Sequence, residues 1–420
     1  MTEVLALAVR GVSRNRRRTL ITGTMIALGV CSVIFARGYI AGLQVMMTDT
    51  LIDVRYGSLQ VSQRGYHASA ELAPLDVDLP AEGDIHDALA HMKHVEAVSG
   101  RISFLGMISK GEASQVFAGL GLDPRTEPKV CPIGPATTYH TTAGNGGDAY
   151  QLIAGDGLRE PDGVVLGVEL ARALEAKVGD AITLLVQTRT GSVDAVDARV
   201  SGIYVHDQPE DNRRSVIVPL GLAQRVTHMP GRVTAFAVRV SERSKIDGVS
   251  RAIEQKLSAS EPPIEVLSWA ALGPYLADVM KLQDRVLGVV MVVIFALLLT
   301  GVANTMLMSV FERTREVGTL MCLGMRRRRI VVLFVLEAVL LSVLAAGVGT
   351  AIGLAAIRIA HAIGLPFFIP AVGKIVVRPT IDAPYVLFTI GAAWVSALLA
   401  ALYPAWRASR MNPVDALRAT

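Results

Sequence analysis

Four stretches of the chain are almost free of charge. Between Arg18 and Asp49 the single charged residue is Arg37; residues 286–311 carry none; 330–357 carries Glu337 alone; and 383–406 carries none. At 1.5 Å of rise per residue, the roughly 26 residues of 286–311 make a helix of about 39 Å, against a hydrocarbon core of ~30 Å. The pattern predicts an α-helical membrane protein with four transmembrane helices, at 20–48, 286–311, 330–357 and 385–406. A cleaved signal peptide would carry a shorter apolar core and a small-residue cleavage site, so the first run is read as a span. The long interval 49–285 has the periodicities of an α+β domain. Residues 163–167 are a short apolar run and 168–176 have helical spacing. Residues 180–188 alternate as a strand before the turn Arg189-Thr190-Gly191-Ser192 and a second strand through Tyr204. Further strands are read at 215–218 and 233–240, helices at 220–226 and 246–257, and a Pro-containing crossover at 258–266. The segment 121–147, rich in Gly, Pro and Thr, reads as an irregular excursion between two subdomains, and 269–285 as an amphipathic stalk into the second span.

Composition agrees with the pattern: hydrophobic residues are 51%, charged residues 19%, and mean hydropathy is +0.44. The net charge of +4 does not indicate nucleic acid, because the basic residues flank the spans. Arg10, Arg14, Arg16, Arg17 and Arg18 precede the first span. Arg313, Arg315, Arg326, Arg327, Arg328 and Arg329 follow the second, and Arg407, Arg410 and Arg418 follow the fourth. The loop between spans three and four holds only Arg358, Lys374 and Arg378. This asymmetry places both termini in the cytoplasm. The expected layout is a cytoplasmic amphipathic helix at 1–19, an outer domain with its stalk at 49–285, a cytoplasmic helix at 312–329, a short outer loop at 358–384 and a cytoplasmic tail at 407–420. The outer segment has 31 acidic and 23 basic residues, a net −8 typical of a soluble surface. Cys31, Cys131 and Cys322 fall in three different compartments, so no intrachain disulfide is expected.

The chain has no GxxxxGK[ST] phosphate loop and no HExxH, CxxC or GxSxG motif, so no catalytic residue, metal site or cofactor is assigned to it. His86, His91 and His94 are spaced poorly for one helix face and read as solvated. Charges inside spans are costly and therefore informative. Arg37 is expected to snorkel to the headgroups or hold an anionic lipid. Glu337, about two turns inside span three, is expected to pair with the run Arg326 to Arg329. Ala345, Gly349 and Gly353 form a small-xxx-small row suited to close helix packing, within the chain or between subunits.

The segment Phe311-Glu312-Arg313-Thr314-Arg315-Glu316-Val317-Gly318-Thr319-Leu320, followed by Leu323-Gly324-Met325-Arg326-Arg327, closely resembles the ERTREIG…LGM.RR signature of an ABC-transporter permease superfamily. That superfamily includes macrolide exporters, the cell-division permease and lipoprotein-releasing permeases. Residues 5–20 are similar to its first amphipathic helix, and 403–418 to its closing PA..A…P.EAL pattern. The resemblance implies that Glu312, Arg313, Thr314, Arg315, Glu316, Val317, Gly318, Leu320, Leu323, Gly324, Met325 and Arg326 form an ATPase-coupling helix. Within it Val317, Leu320, Met321, Leu323 and Gly324 supply a short apolar face for a partner's groove. It also implies two copies of a separate ABC ATPase that bind ATP and Mg, and a second permease copy, identical or homologous.

Length and the segment 56–66 look most like lipoprotein-releasing permeases of the LolC/LolE type. That resemblance implies a bacterial inner-membrane protein that extracts lipid-anchored lipoproteins entering laterally between spans one and two. Arg37, Tyr39, Leu43, Met46, Met47, Met291 and Phe295 are the candidate cavity wall, with helix packing as the alternative role. A periplasmic carrier or adaptor is the expected outer partner, although the hairpin at 189–193 is short for a carrier-docking loop. Macrolide-exporter-type efflux of drugs, peptides or toxins, and signalling to a cell-wall enzyme, are the competing functions.

Overall fold

The computed structural model describes residues 16–132, 150–206, 209–369 and 373–411. The chain divides into two compact units. One contains residues Met1–Gln44, Val279–Leu365 and Val377–Thr420; the other contains Val45–Asp278 and Pro366–Val376.

The membrane unit is built on four helices long and apolar enough to cross a bilayer. They are α1 (Arg16–Thr50), a long helix Pro274–Glu312, a third at Arg327–Ile363 and a fourth at Ala383–Ser409. The second begins well before the apolar run at 286, because nothing from Pro274 onward breaks a helix and its polar first turns need no lipid. The third continues to Ile363, and a two-stranded hairpin, Leu365–Ile369 with Gly373–Val377, occupies much of the expected outer loop. Most of the expected N-terminal helix at 1–19 lies outside the described residues.

The small-residue row packs within the chain. A Cβ on Gly349 would lie 2.4 Å from the Ala27 carbonyl oxygen, and one on Gly353 3.3 Å from Ile34, so the third span sits directly on α1. Ile26, Val30 and Ile34 from α1 share a core with Leu298, Val302, Phe334, Ala346 and Ala401.

The outer unit has one ten-stranded sheet that splits into two cores. A π-helical turn, Leu51–Tyr56, ends the first helix. The elements that follow are β1 (Leu59–Gln63), β2 (Leu79–Pro80), α2 (Asp84–Ala90), β3 (Val95–Lys110), β4 (Ala113–Leu122) and α3 (Glu127–Val130). Then come β5 (Tyr150–Gly155), β6 (Gly163–Gly167), α4 (Val168–Ala173), β7 (Ala181–Gln187), β8 (Val193–His206), α5 (Pro209–Arg214), β9 (Ser215–Pro219) and α6 (Leu220–Val226). The last part holds β10 (Arg232–Val233), β11 (Ala235–Val240), α7 (Ile246–Lys256), β12 (Ile264–Ser268) and α8 (Trp269–Leu272). The helices of the membrane unit are therefore α9 (Pro274–Glu312), α10 (Thr314–Cys322), α11 (Arg327–Ile363) and α12 (Ala383–Ser409), and the hairpin strands are β13 and β14.

β3 carries the division. Its first half pairs with β11, its second half with β4 on one edge and, over residues 106–109, with β7 on the other. The circuit β3–β4–β9–β6–β8–β7 therefore closes on itself as a six-stranded barrel. Ile102, Phe104, Ile108, Phe117, Leu166, Leu184 and Val216 fill it. Phe104 meets Phe117 edge-on, with ring centroids 5.8 Å apart, and Gly119 opposite Phe104 leaves room for its ring. The open part, β12–β1–β11–β3, is covered by α2 and α7 through Ile85, Leu89, Ile246, Val249 and Ile253.

Several expectations shift. The crossover read at 258–266 ends in strand β12, because Ile264 and Val266 alternate inward. The excursion read from 121 starts later, since Gly121 and Leu122 belong to β4, and residues 133–149 lie outside the described residues. The stalk is interrupted at Gly273, between α8 and α9.

Where the first helix ends, Arg101 is 4% exposed and clamps the turn. It donates to the Arg55 carbonyl oxygen at 2.6 Å, to both oxygens of the buried Glu127 at 3.2 and 2.5 Å, and to Cys131 Sγ at 3.1 Å. Burial alone would lower the Arg101 pKa, but the Glu127 carboxylate outweighs it and the guanidinium is held above its ordinary value. Burial pushes the Cys131 thiol up to about 12 despite Arg101, so it stays a neutral thiol. Cys31, Cys131 and Cys322 are all free.

Replacing Gly349 by Val is expected to lower the stability of the membrane unit by about 1–3 kcal/mol, the cost of overpacking. Gly347→Val, where an added Cβ meets nothing within 4 Å, is the matched control. Thermal unfolding in detergent compares them, and equal midpoints would contradict the packing described.

Candidate coupling site

The inner hairpin is shaped by two breaks. Arg313, at φ −108° and ψ 18°, ends α9 and starts α10, and Thr314 Oγ1 donates back to the Val310 and Phe311 carbonyl oxygens at 3.2 and 2.8 Å. Gly324 ends α10 at φ +90°, where a side chain would be strained. The Gly324 N–H bonds to the Met321 carbonyl and the Met325 N–H to the Leu320 carbonyl, both at 3.0 Å. This paired closure is the Schellman arrangement, and it explains why Leu323-Gly324-Met325 follows the helix.

The apolar face divides in two. Val317 is 3% exposed, and Met321 and Met325 pack with it on the core of the four helices. The outward face is instead Arg315, Thr319, Cys322 and Leu323, the last 79% exposed, with Leu320 half-buried between. Val317 is thus withdrawn from any partner groove: with Met321 and Met325 it packs α10 onto the helix core.

Glu337, 3% exposed, is the centre of the site. Its Oε1 accepts from Arg18 Nη2 and its Oε2 from Arg313 Nη1, each at 3.0 Å. Arg313 Nε also donates to Glu316 Oε2 at 3.0 Å, and its guanidinium lies 5.9 Å from the Phe334 ring centroid. Arg18 Nη1 is 3.7 Å from Glu312 Oε2. One buried carboxylate on α11 therefore ties α1, the α9–α10 break and α10 together. The expected pairing of Glu337 with Arg326 to Arg329 does not occur. Eight residues of helix separate Arg329 from Glu337 by about 12 Å, whereas Arg18 and Arg313 arrive sideways from neighbouring helices.

A second cluster sits toward the outer end of the same unit. Arg37 donates to Asp382 Oδ2 from Nε and Nη2, at 3.1 and 2.9 Å, and to Asp284 Oδ1 from Nη1 at 2.7 Å. Its guanidinium lies 5.0 Å from the Tyr385 ring centroid. Gln44 Nε2 donates to Asp284 Oδ1 and to the Met280 carbonyl. Gly38 and Gly42 admit the approach of Arg378 and Thr380, where a Cβ on Gly42 would lie 2.3 Å from the Arg378 carbonyl oxygen. That approach brings Asp382, the cap of α12, to Arg37. The headgroup expected at Arg37 is replaced by two protein carboxylates.

The other proposed wall residues separate. Met291 is buried and accepts from Tyr385 Oη at 3.6 Å, and Phe295 packs on the helix core. Tyr39, Leu43, Met46 and Met47 are half-buried along α1. Asp284, Asp382, Tyr385 and Gln44 escaped the sequence reading. The available signal was Asp382 before Ala383-Pro384, a helix-start pattern that also delivers a charge to the end of a span.

Two family models match the chain: a MacB-like periplasmic core domain over residues 19–256, and an FtsX-like permease C-terminal region over residues 288–413. Among curated relatives, the lipoprotein-releasing system transmembrane protein LolC of Xylella fastidiosa is 26% identical, over 94% of this chain and 92% of that protein. The macrolide export ATP-binding/permease protein MacB of Brucella abortus is 24% identical, over 99% of this chain and 60% of that protein. The lipoprotein-releasing system transmembrane protein LolE of Haemophilus influenzae is 22% identical, over 80% of each chain. The chain thus spans about three fifths of the length of the macrolide-export relative.

Truncating Glu337 to Ala leaves Arg18 and Arg313 without their buried counter-charge, and is expected to destabilise the membrane unit by roughly 3–5 kcal/mol. Glu312→Ala, at a 40% exposed side chain, is expected to cost no more than about 1 kcal/mol. Unfolding in mixed micelles separates the two; equal losses would remove Glu337 from the centre of the network.

Proposed function

The chain belongs to the ABC-transporter permease family with a MacB-like periplasmic core domain and an FtsX-like C-terminal region, and from that premise we propose that it extracts lipid-anchored lipoproteins from a bacterial inner membrane. The observation that carries the lipoprotein reading is the near end-to-end match to a lipoprotein-releasing transmembrane protein. The chain itself is a non-catalytic subunit. ATP and Mg bind to a separate pair of ATPase subunits, and a second permease, identical or homologous, completes the transporter.

In this reading both termini and α10 face the cytoplasm. ATPase closure pushes the outward face of α10, at Arg315, Thr319, Cys322 and Leu323. Arg313 and Glu337 pass the displacement to α11 and, through Arg18, to α1. α1 and α9 then carry it outward, where Arg37 joins them through Asp284. Movement there opens the space between spans one and two to acyl chains, with Tyr39, Leu43, Met46 and Met47 as its wall. The released lipoprotein passes to a periplasmic carrier or adaptor. A second reading, efflux driven through an adaptor, draws on the macrolide-export relative, which matches almost the whole of this chain.

Co-purification of the permease with its ATPase distinguishes the two. A bound triacylated lipoprotein is the expected outcome, whereas a stable adaptor and outer-membrane duct complex without a lipid-anchored client would overturn the first reading in favour of the second. Glu316→Lys, which reverses the partner of Arg313, and Gly324→Trp, which strains the end of α10, are expected to reduce transport at least about tenfold while ATP is still hydrolysed and the outer unit stays folded. Transport assays on proteoliposomes check this, and unchanged transport in both variants would count against α10 as the lever.

A further inference from the structure

The four consecutive arginines Arg326, Arg327, Arg328 and Arg329 have no task in the network just described. All four are exposed, and no acidic side chain pairs with any of them among the described residues. Ile330, immediately after them, is fully buried in the helix core. Val332, one turn inward from Arg328 and Arg329, is 46% exposed, and Val343, three turns further on the same face, is also exposed. The basic run therefore caps a strip of helix that has only apolar atoms to offer its surroundings.

The neighbouring helix repeats the arrangement. α11 and α12 share a core that includes Ile330, Phe334, Ala401, Ala405 and Ala408. At this end of α12, Tyr403 and Trp406 are about half exposed, Arg410 stacks on Trp406 at 4.4 Å, and Arg407 lies 5.4 Å from the Phe311 ring centroid. Neither Arg407 nor Arg410 has a carboxylate partner among the described residues. Six guanidinium groups thus cluster on two helix ends that share one core, beside the half-exposed Tyr403 and Trp406 and where exposed apolar helix ends. Aromatic rings of this kind seat at headgroup depth, and clustered arginines there attract anionic lipid.

We propose that this patch, Arg326 to Arg329 with Arg407, Arg410 and Trp406, binds the headgroups of anionic phospholipids in the leaflet beside α10. An acidic protein surface is less well matched, because the patch is continuous with lipid-facing Val332 and Val343. Since the four arginines follow the α10 closure at Gly324 directly, the bound headgroups also fix the base from which α10 moves.

The test uses the full chain in bilayers and does not depend on what is transported. The chain has three tryptophans, so W269F/W394F leaves Trp406 as the sole tryptophan, read by excitation at the red edge where tyrosine does not absorb. Brominated phosphatidylglycerol is expected to quench Trp406 at a mole fraction at least about fivefold lower than brominated phosphatidylcholine, the factor one basic residue contributes near an anionic surface. The preference is expected to collapse at about 1 M NaCl, where the screening length is ~3 Å. It is expected to fall at least about threefold in R326Q/R327Q/R328Q/R329Q and to persist when the four residues are Lys. Equal quenching by the two lipids, a preference that salt does not weaken, or one the Gln variant retains in full would each overturn the proposal and leave the arginines to a protein partner. If the Gln variant fails to insert, the salt titration of the four-Arg protein decides alone.

Discussion

A carboxylate held almost out of water must be neutralised where it stands, and Glu337 is that carboxylate. Its two oxygens are each claimed by an arginine from a different helix, so the inner ends of α1, α9 and α11 are fixed relative to one another by a single side chain. Leaving any member of such a group unpaired costs more than the group gains by forming, which makes the arrangement a constraint on geometry more than a source of stability. α10 inherits its position from this constraint, because Arg313 serves both as the break before it and as a ligand of Glu337. Val317 then anchors the helix on its inner side, leaving Leu323 on the other side exposed.

The two membrane ends solve their charge problems in opposite ways. At the outer end Arg37, the one ion of its span, is satisfied by Asp284 and Asp382 from two other helices, and the glycines of α1 make room for the chain that delivers Asp382. At the inner end, the arginines read from sequence as partners for Glu337 remain outside it. Lipid charge is therefore expected where the protein supplies no counter-charge, and absent where it does.

What was legible in the chain was whatever depends on local periodicity. The four spans, the hairpin of β7 and β8, and α6 and α7 follow from spacing that a short window contains. The permease motif fixed the place of α10, and its Gly324 was already the residue a helix end requires. The pairings of Glu337 and Arg37 were not legible, because Arg18, Asp284 and Asp382 lie hundreds of residues from the charges they meet and Arg313 reaches Glu337 from another helix 24 residues back, while the run at Arg326 to Arg329 stood nearer in sequence. The same limit hid Val317: periodicity identified its face as apolar, but only the fold decides whether an apolar face points to the chain's own core or to another protein. β3 and β4 escaped for a related reason. Each half of β3 serves a different core, so its inward side changes partners midway and no single alternation describes it.

That shared strand has a consequence for biogenesis. As the chain is delivered to the outer side, every strand of the barrel has arrived by β9, at residue 219, so closure need not wait for anything later. The open sheet is different: β1 and the first half of β3 must remain unmated on that side until β11, and then β12 at 264–268, have been delivered. A chain delivered only as far as β9 therefore carries a finished barrel attached to an exposed hydrophobic ledge.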